Sequence, residues 1–359
     1  MPAAPKQREH SLDVIRAIAI IAVICEHTSS ALLTGKAQLL VNTLGTLGVP
    51  LFVMLTGYLM LDRSYDSRYL QRFLKHNLLP LVITLEIWNI TWFGLSQVIG
   101  DSPISFDQVL KVALFMGPTN NGMWFLPMII GVYLGLPIVS HTIQWLGMHH
   151  ARTYSLTLLG CAAFFGTIVP TLSELFSFIM PQHIISSQLN MNIFGADVWG
   201  NSVWILFLLA GYAVKKGIFS KVNTWAATAV AIVSAVFLVL FHHFALASGL
   251  AWDPYYANLF LVITAISSFV VGQRIFTLRF AHARFLVTVT TFISTYSFSV
   301  YMLHFWILTV CVACLQSFNM STGFISFAII VCICLVGSLA VARILAYLRP
   351  LQRWMLLIK

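Results

Sequence analysis

Arg16 and His27 stand eleven residues apart in the apolar opening stretch SLDVIRAIAIIAVICEHTSS. On an α-helix that spacing is about three turns, so the two side chains share a face and lie roughly 16 Å apart along the axis. A guanidinium at one end of a stripe and an imidazole at the other suit a long polar ligand. A neutral histidine is the usual general base near neutral pH, because it can accept a proton from a hydroxyl. Glu26 is rotated about 100° from His27 and addresses a different helix.

Further ionisable residues fall inside apolar runs: Glu86, His141, Glu174, His242, His243 and His304. Each is costly in a bilayer and therefore a functional candidate, facing a bundle interior or a water-filled cavity. Counted from the inner ends of their segments, His27, Glu86 and His304 come to comparable depth, which suggests one site. Glu86 or Glu26 could hold the tautomer of His27, and spacing does not choose between them. Taken singly, each of these residues is equally well explained as a hydrogen-bonding contact between helices.

The elements that must position them follow from composition. Hydrophobic residues make up 59% of the 359 residues and charged residues only 9%, against about 45–50% and 25% in soluble domains. The apolar runs are about 20 residues long, enough to cross a hydrocarbon core, and lipid leaves them no conformation but the helix. Spans are expected near 12–33, 39–61, 77–99, 124–146, 154–179, 198–214, 223–247, 257–273, 288–316 and 322–348. The expected fold is thus all-α, a polytopic membrane helix bundle of about ten transmembrane helices.

Lys and Arg collect on alternate loops: Lys6 and Arg8; Arg63, Arg68, Arg72 and Lys75; Arg152; Lys215, Lys216 and Lys221; Arg274, Arg279 and Arg284; and Arg343, Arg349, Arg353 and Lys359. The opposite loops hold only Lys36 and Lys111, with Asp101, Asp107, Asp197 and Asp253. Positive loops stay cytoplasmic, which puts both ends inside. The domain reading is a cytoplasmic N-terminal tail 1–11, a transmembrane domain 12–348 and a cytoplasmic C-terminal tail 349–359. The first segment is too long for a cleaved signal peptide and lacks a small-residue cleavage site. No fixed-period repeat is visible, nor a pair of interrupted spans of the kind found in many transporters.

The net charge of +9 is spread over alternate loops rather than along one patch, so it reads as anchoring to anionic lipid and not as nucleic-acid binding. All six cysteines lie in apolar spans without histidines at metal spacing, so no metal is expected. In the inner loop 62–76, Arg68, Arg72 and Lys75 share a helix face that could hold phosphates, with lipid anchoring as the competing account. The outer loops are short except 100–123, with an amphipathic stretch around Ile104–Phe115, and 180–197, rich in amides. Both suit an acceptor-binding surface.

Four segments resemble the acyltransferase-3 family in the right order. The Arg16-x10-His27 pattern is similar to its first helix. GVPLFVMLTGYLMLDR resembles its second, with Thr56 where serine is commoner, before Gly57 and Tyr58. Trp124, Phe125 and Leu126 resemble its Trp-Phe-Leu signature, and YSFSVYMLHFWIL its late segment ending in His304. The compact length and the proline-led second segment look most like the enterobacterial common antigen O-acetyltransferase group. Some members add an extra helix and a soluble hydrolase-like domain, and 349–359 offers room for neither, so hand-over to such a domain is not expected.

The resemblance implies a membrane O-acyltransferase of the bacterial cytoplasmic membrane. It would move an acyl group, acetyl in the usual case, from cytoplasmic acyl-CoA to a hydroxyl of a surface glycan or lipid-linked saccharide. No permanently bound cofactor is implied; acyl-CoA is the donor substrate. His27 would be the general base, and the residues themselves leave Glu86 or Glu26 as the carboxylate beside it. Arg16 would hold donor phosphate or stabilise developing negative charge, Arg68, Arg72 and Lys75 would collect the coenzyme, and Glu26, Trp124 and His304 would line the cavity. The acceptor and the oligomeric state are not legible. A transporter or flippase for a glycan, lipid or small polar solute could use the same buried charges as a proton relay. A non-catalytic scaffold would leave Arg16 and His27 on one face without purpose.

Overall fold

The computed structural model describes residues 8–100, 106–113, 123–179, 203–249, 255–279 and 284–358. Within them the chain is helical and forms no strand. The helices are α1 (His10–Leu32), α2 (Gly35–Gly45), α3 (Gly48–Met60), α4 (Ser67–Phe73), α5 (Leu79–Gly100), α6 (Phe106–Ala113), α7 (Phe125–Met148), α8 (Arg152–Ala163), α9 (Val169–Ile179), α10 (Val203–Lys215), α11 (Thr224–Ala247), α12 (Leu259–Arg279), α13 (Arg284–Ser317), α14 (Phe324–Leu345) and α15 (Arg349–Trp354). Of these, eight stretches are long and apolar enough to cross a membrane. The 22-residue α5 and the 13-residue α10 occupy the two remaining expected places.

Two expected spans are interrupted. The second is two helices, α2 and α3, broken at Thr46–Leu47, yet together they form one 26-residue crossing. The fifth is α8 and α9 joined through a π-helical turn, Phe164–Ile168. A second π turn, Leu74–Leu78, joins α4 to α5. Such turns insert a residue into the helix and rotate everything beyond it. The outer loop 180–197 lies outside the described residues. Of the other outer loop, α6 is described, and an ion pair between Asp107 and Lys111 at 2.7 Å spans one of its turns.

Helix α1 is the hub of the bundle, packed against α2, α3, α12, α13 and α14. Its buried residues, among them Ile15, Ala19, Ile20, Val23 and Ile24, lie all round the helix, which is the pattern of a fully surrounded helix. By contrast, α8 buries no residue and α11 exposes Val230, Ile232, Val233, Val236 and Phe237. Those apolar faces are the bundle's contact with lipid. At the crossing of α3 and α10 the backbones touch: a Cβ on Gly57 would collide with the Leu208 carbonyl, and one on Gly211 with the Met54 carbonyl. Paired small residues of this kind let membrane helices approach closely.

At the inner surface, Asp62 after α3 pairs with Lys216 at 2.5 Å and Lys215 at 3.5 Å, tying the ends of α3 and α10. The hydrogen bond from Lys216 holds the Asp62 carboxyl below its ordinary range. Short helix α4 starts at Asp66, whose side chain accepts the Tyr69 backbone N–H at 2.8 Å, an N-cap.

Candidate active site

The site is built where α1 and α13 run side by side. At its inner end, Asp13, Arg16 and Ser294 form a short relay. The Ser294 hydroxyl accepts from Arg16 Nη1 at 3.2 Å and donates to Asp13 Oδ1 at 2.6 Å. Arg8 closes on the same carboxylate with Nε at 2.6 Å and Nη2 at 2.9 Å, a two-pronged charge-assisted pair. Arg16 thus has its orientation set by α13 while part of its guanidinium stays available. Asp13 is the residue the sequence reading passed over. Its signal was an acid three residues before Arg16, one helical turn away and just inside the first span.

About three turns further out, the ring of His27 stacks on that of His304, with centroids 5.4 Å apart and planes 27° apart. Phe305 closes on His27 edge-on at 5.0 Å. His304 is buried, and its Nδ1–H donates to the Val300 carbonyl at 3.1 Å. In the neutral ring that bond fixes the tautomer and leaves the Nε2 lone pair free. Among the described residues, Nε2 is buried without a hydrogen-bond partner. A backbone carbonyl, not a carboxylate, therefore orients this imidazole.

A cavity of about 330 Å³ extends from Arg16 and Ser294 to Val23 and Tyr301, one helical turn short of His27 and His304. It is lined by Arg16 and Val23 of α1, Phe52 and Thr56 of α3, Phe125 and Tyr133 of α7, and Ser294 and Tyr301 of α13. Tyr301 lies 5.9 Å from His304, centroid to centroid, and 5.3 Å from Phe125. Glu26 is close enough to Tyr301 to interact with it electrostatically. The cavity is apolar along most of its length, with a cation at the inner end and imidazoles just past the outer end.

The structure thus brings His27 and His304 into contact, with Arg16 about three turns away on α1 and Glu26 near Tyr301. Trp124 stands beside the cavity rather than in it: its neighbour Phe125 forms the wall, while Trp124 packs with Trp204 at 5.9 Å and Tyr256 at 5.3 Å in an aromatic cluster at the outer ends of α7 and α10. Glu86 is not brought to His27 by any described contact. On α5, Trp88 and Trp92 face Trp306 of α13, and Glu86 lies about 160° round the helix from Trp88. Its carboxylate oxygens are covered.

Arg68, Arg72 and Lys75 are exposed on the segment between α3 and α5. The buried side of the same segment carries Tyr65 and Phe73, and Phe73 packs on the cavity residue Tyr133 at 5.8 Å. The basic face is therefore one aromatic layer from the cavity's inner end. No group of three or more potential metal ligands occurs among the described residues.

Residues 9–345 match the family model described as an acyltransferase domain. The chain belongs to the acyltransferase-3 family. No curated protein and no solved structure matches it. The match covers α1 to α14, so the family's four sequence segments all fall on this one bundle. In this membrane acyltransferase they acquire physical roles. Arg16 and Thr56 line the cavity, His27 lies one helical turn beyond its lining residue Val23, and Gly57 allows the α3–α10 contact. Tyr58 donates to Glu9 at 2.8 Å, and His304 stacks on His27.

Proposed function

We propose that this acyltransferase moves an acyl group, acetyl in the first instance, from cytoplasmic acyl-CoA to a hydroxyl of a surface glycan or lipid-linked saccharide, in a bacterial cytoplasmic membrane. The observation that carries the reading is the cavity that runs from Arg16 to Val23 and Tyr301, one helical turn short of the stacked His27–His304 pair. A thioester on a long thin arm with phosphates at its far end has that shape and that order of chemistry.

In this reading the phosphates meet Arg16, with Arg68, Arg72 and Lys75 gathering the coenzyme at the surface. Arg16 and His27 are roughly 16 Å apart along α1, so Arg16 serves donor binding and not the charge that develops at the carbonyl. The acceptor hydroxyl gives its proton to His27 as its oxygen attacks the thioester carbon. The tetrahedral intermediate collapses, the carbon–sulfur bond breaks, and the proton passes to the departing thiolate, leaving ester and free coenzyme. His304 Nε2, with its lone pair free, accepts a hydrogen bond from the acceptor and orients it. Excluding bulk water around the buried His304 protects the thioester from hydrolysis.

The test is transfer by purified protein in detergent, with acetyl-CoA labelled in the acetyl group and a lipid and glycan extract as acceptor. Release of coenzyme matched by labelled ester, with no membrane gradient, supports the proposal. Normal donor binding without any turnover, or activity only across a sealed gradient, would favour a transporter instead.

A further inference from the structure

After α15 the chain turns back into the bundle. Three consecutive backbone carbonyls are held there by side chains from two helices. Thr84 Oγ1 donates to the Trp354 carbonyl at 2.7 Å, Trp88 Nε1–H to the Met355 carbonyl at 3.0 Å, and Ser299 Oγ to the Leu356 carbonyl at 3.0 Å. Leu356 is fully buried. The next residue, Leu357, has φ of 53° and lines the cavity with Arg16, Ser294 and Phe298.

A left-handed backbone is uncommon for a residue with a Cβ and persists where its surroundings over-determine it. Here the bonds to α5 and α13 supply that constraint. Its consequence is to turn the Leu357 side chain into the cavity. Farther along the same two helices, Trp88 and Trp92 of α5 pack against Phe305 and Trp306 of α13. Within the segment expected to be a tail, Leu357 thus contributes to the cavity wall.

We propose that Leu357 is a positioning residue for the acyl donor, the surface against which the apolar stretch of the donor's arm lies between Arg16 and the histidines. The proposal rests on the acyl-CoA reading given above. Leu357→Ala should raise the donor KM about three- to tenfold, as expected for lost apolar contact, with kcat within about twofold and the acceptor KM unchanged. Leu357→Trp should obstruct the cavity and raise the donor KM further.

A measurement free of turnover accompanies these. Leu357→Cys, labelled with a small maleimide and located by peptide mass analysis, should react more slowly in the presence of desulfo-coenzyme A, which lacks a thiol of its own. Wild-type protein that turns over acetyl-CoA, together with unchanged donor KM in both folded variants, overturns the role of Leu357 alone. Where Leu357→Ala or Leu357→Trp fails to accumulate, the cysteine decides: protection supports the role, and equal labelling with and without ligand overturns it. Wild-type protein that neither binds nor turns over acyl-CoA overturns the donor reading and this inference with it.

Discussion

His304 stacks on His27 with ring centroids 5.4 Å apart, while its own Nδ1 is committed to the Val300 carbonyl. The two imidazoles are therefore unequal: one has a fixed tautomer and a buried free lone pair, and the other sits beside it on the hub helix. His27→Ala should lower kcat by about 10²- to 10⁴-fold, the range for losing a general base, while folded protein remains in the membrane. His304→Phe keeps the ring and the stacking but loses Nε2. If the lone pair orients the acceptor, His304→Phe will be as impaired as His304→Ala. Recovery of normal kcat in the phenylalanine variant alone would reduce His304 to packing.

The inner end makes a separate prediction, because Arg16 is held by Ser294 rather than by a direct carboxylate contact. Lysine keeps the charge but cannot span both Ser294 and a phosphate with one planar fork. Arg16→Lys should weaken donor binding about tenfold, near 1.5 kcal/mol for a lost charge-assisted hydrogen bond, and leave the acceptor KM alone. Ser294→Ala should show the same pattern, more weakly. Titration calorimetry with acetyl-CoA on the purified variants measures it, and unaltered affinity in both would remove Arg16 from the donor site.

Much of this was legible in the chain because membrane helices advertise themselves. Apolar run length and the alternation of Lys and Arg give the elements, and the rise of an α-helix gives the Arg16–His27 distance. What was not legible depends on rotation and on long-range contact. Glu86 has the right depth by residue count but lies about 160° round α5 from Trp88, which packs on α13, and depth by count does not give rotation. Leu357 gave no signal, since an apolar residue near the end of a basic segment looks like an anchor. The bonds from Thr84, Trp88 and Ser299 that bring it inside come from helices about 60 to 270 residues away in sequence.

Topology can be checked at two turns. Ser220, after α10, and Ser248, after α11, are both exposed and at opposite ends of the same crossing. In intact cells, Ser248→Cys should react with an impermeant maleimide and Ser220→Cys only after permeabilisation. The reverse labelling pattern would invert the bundle and put Arg16 on the outside.

The Asp62 tie makes a prediction about pH. Its carboxyl is held low by Lys216 in the folded state, so its stabilising effect is present above the unfolded carboxylate pKa and is lost as pH falls through the folded value. Thermal unfolding of Asp62→Asn and wild type should differ slightly at pH 7 and converge well below pH 4. Both groups are largely exposed, so the gap at pH 7 should stay below about 1 kcal/mol. A gap that persists unchanged in acid would assign the effect to something other than the ion pair.

The last prediction concerns Gly57, the middle of the Thr56–Gly57–Tyr58 segment. Its neighbours face different tasks: Thr56 lines the cavity, and Tyr58 donates to Glu9 near the start of α1. Gly57 itself meets the backbone of α10, where the obstacle to a methyl group is a carbonyl that cannot rotate away. Gly57→Ala must therefore push α3 from α10, at a cost of about 1–3 kcal/mol for overpacking, and carry Thr56 with it. Both the unfolding temperature and turnover should fall, and Gly211→Ala, which meets the Met54 carbonyl across the same crossing, should behave alike. Once either methyl has separated the helices, the second costs less, so the double variant should be less destabilised than the sum of the two. Gly160→Ala is the control: it sits in the lipid-facing α8 with nothing near its Cβ position, and should be neutral or slightly stabilising. Equal tolerance at positions 57 and 160 would show that the backbones do not touch at this crossing, and Thr56 would lose its fixed place in the cavity wall.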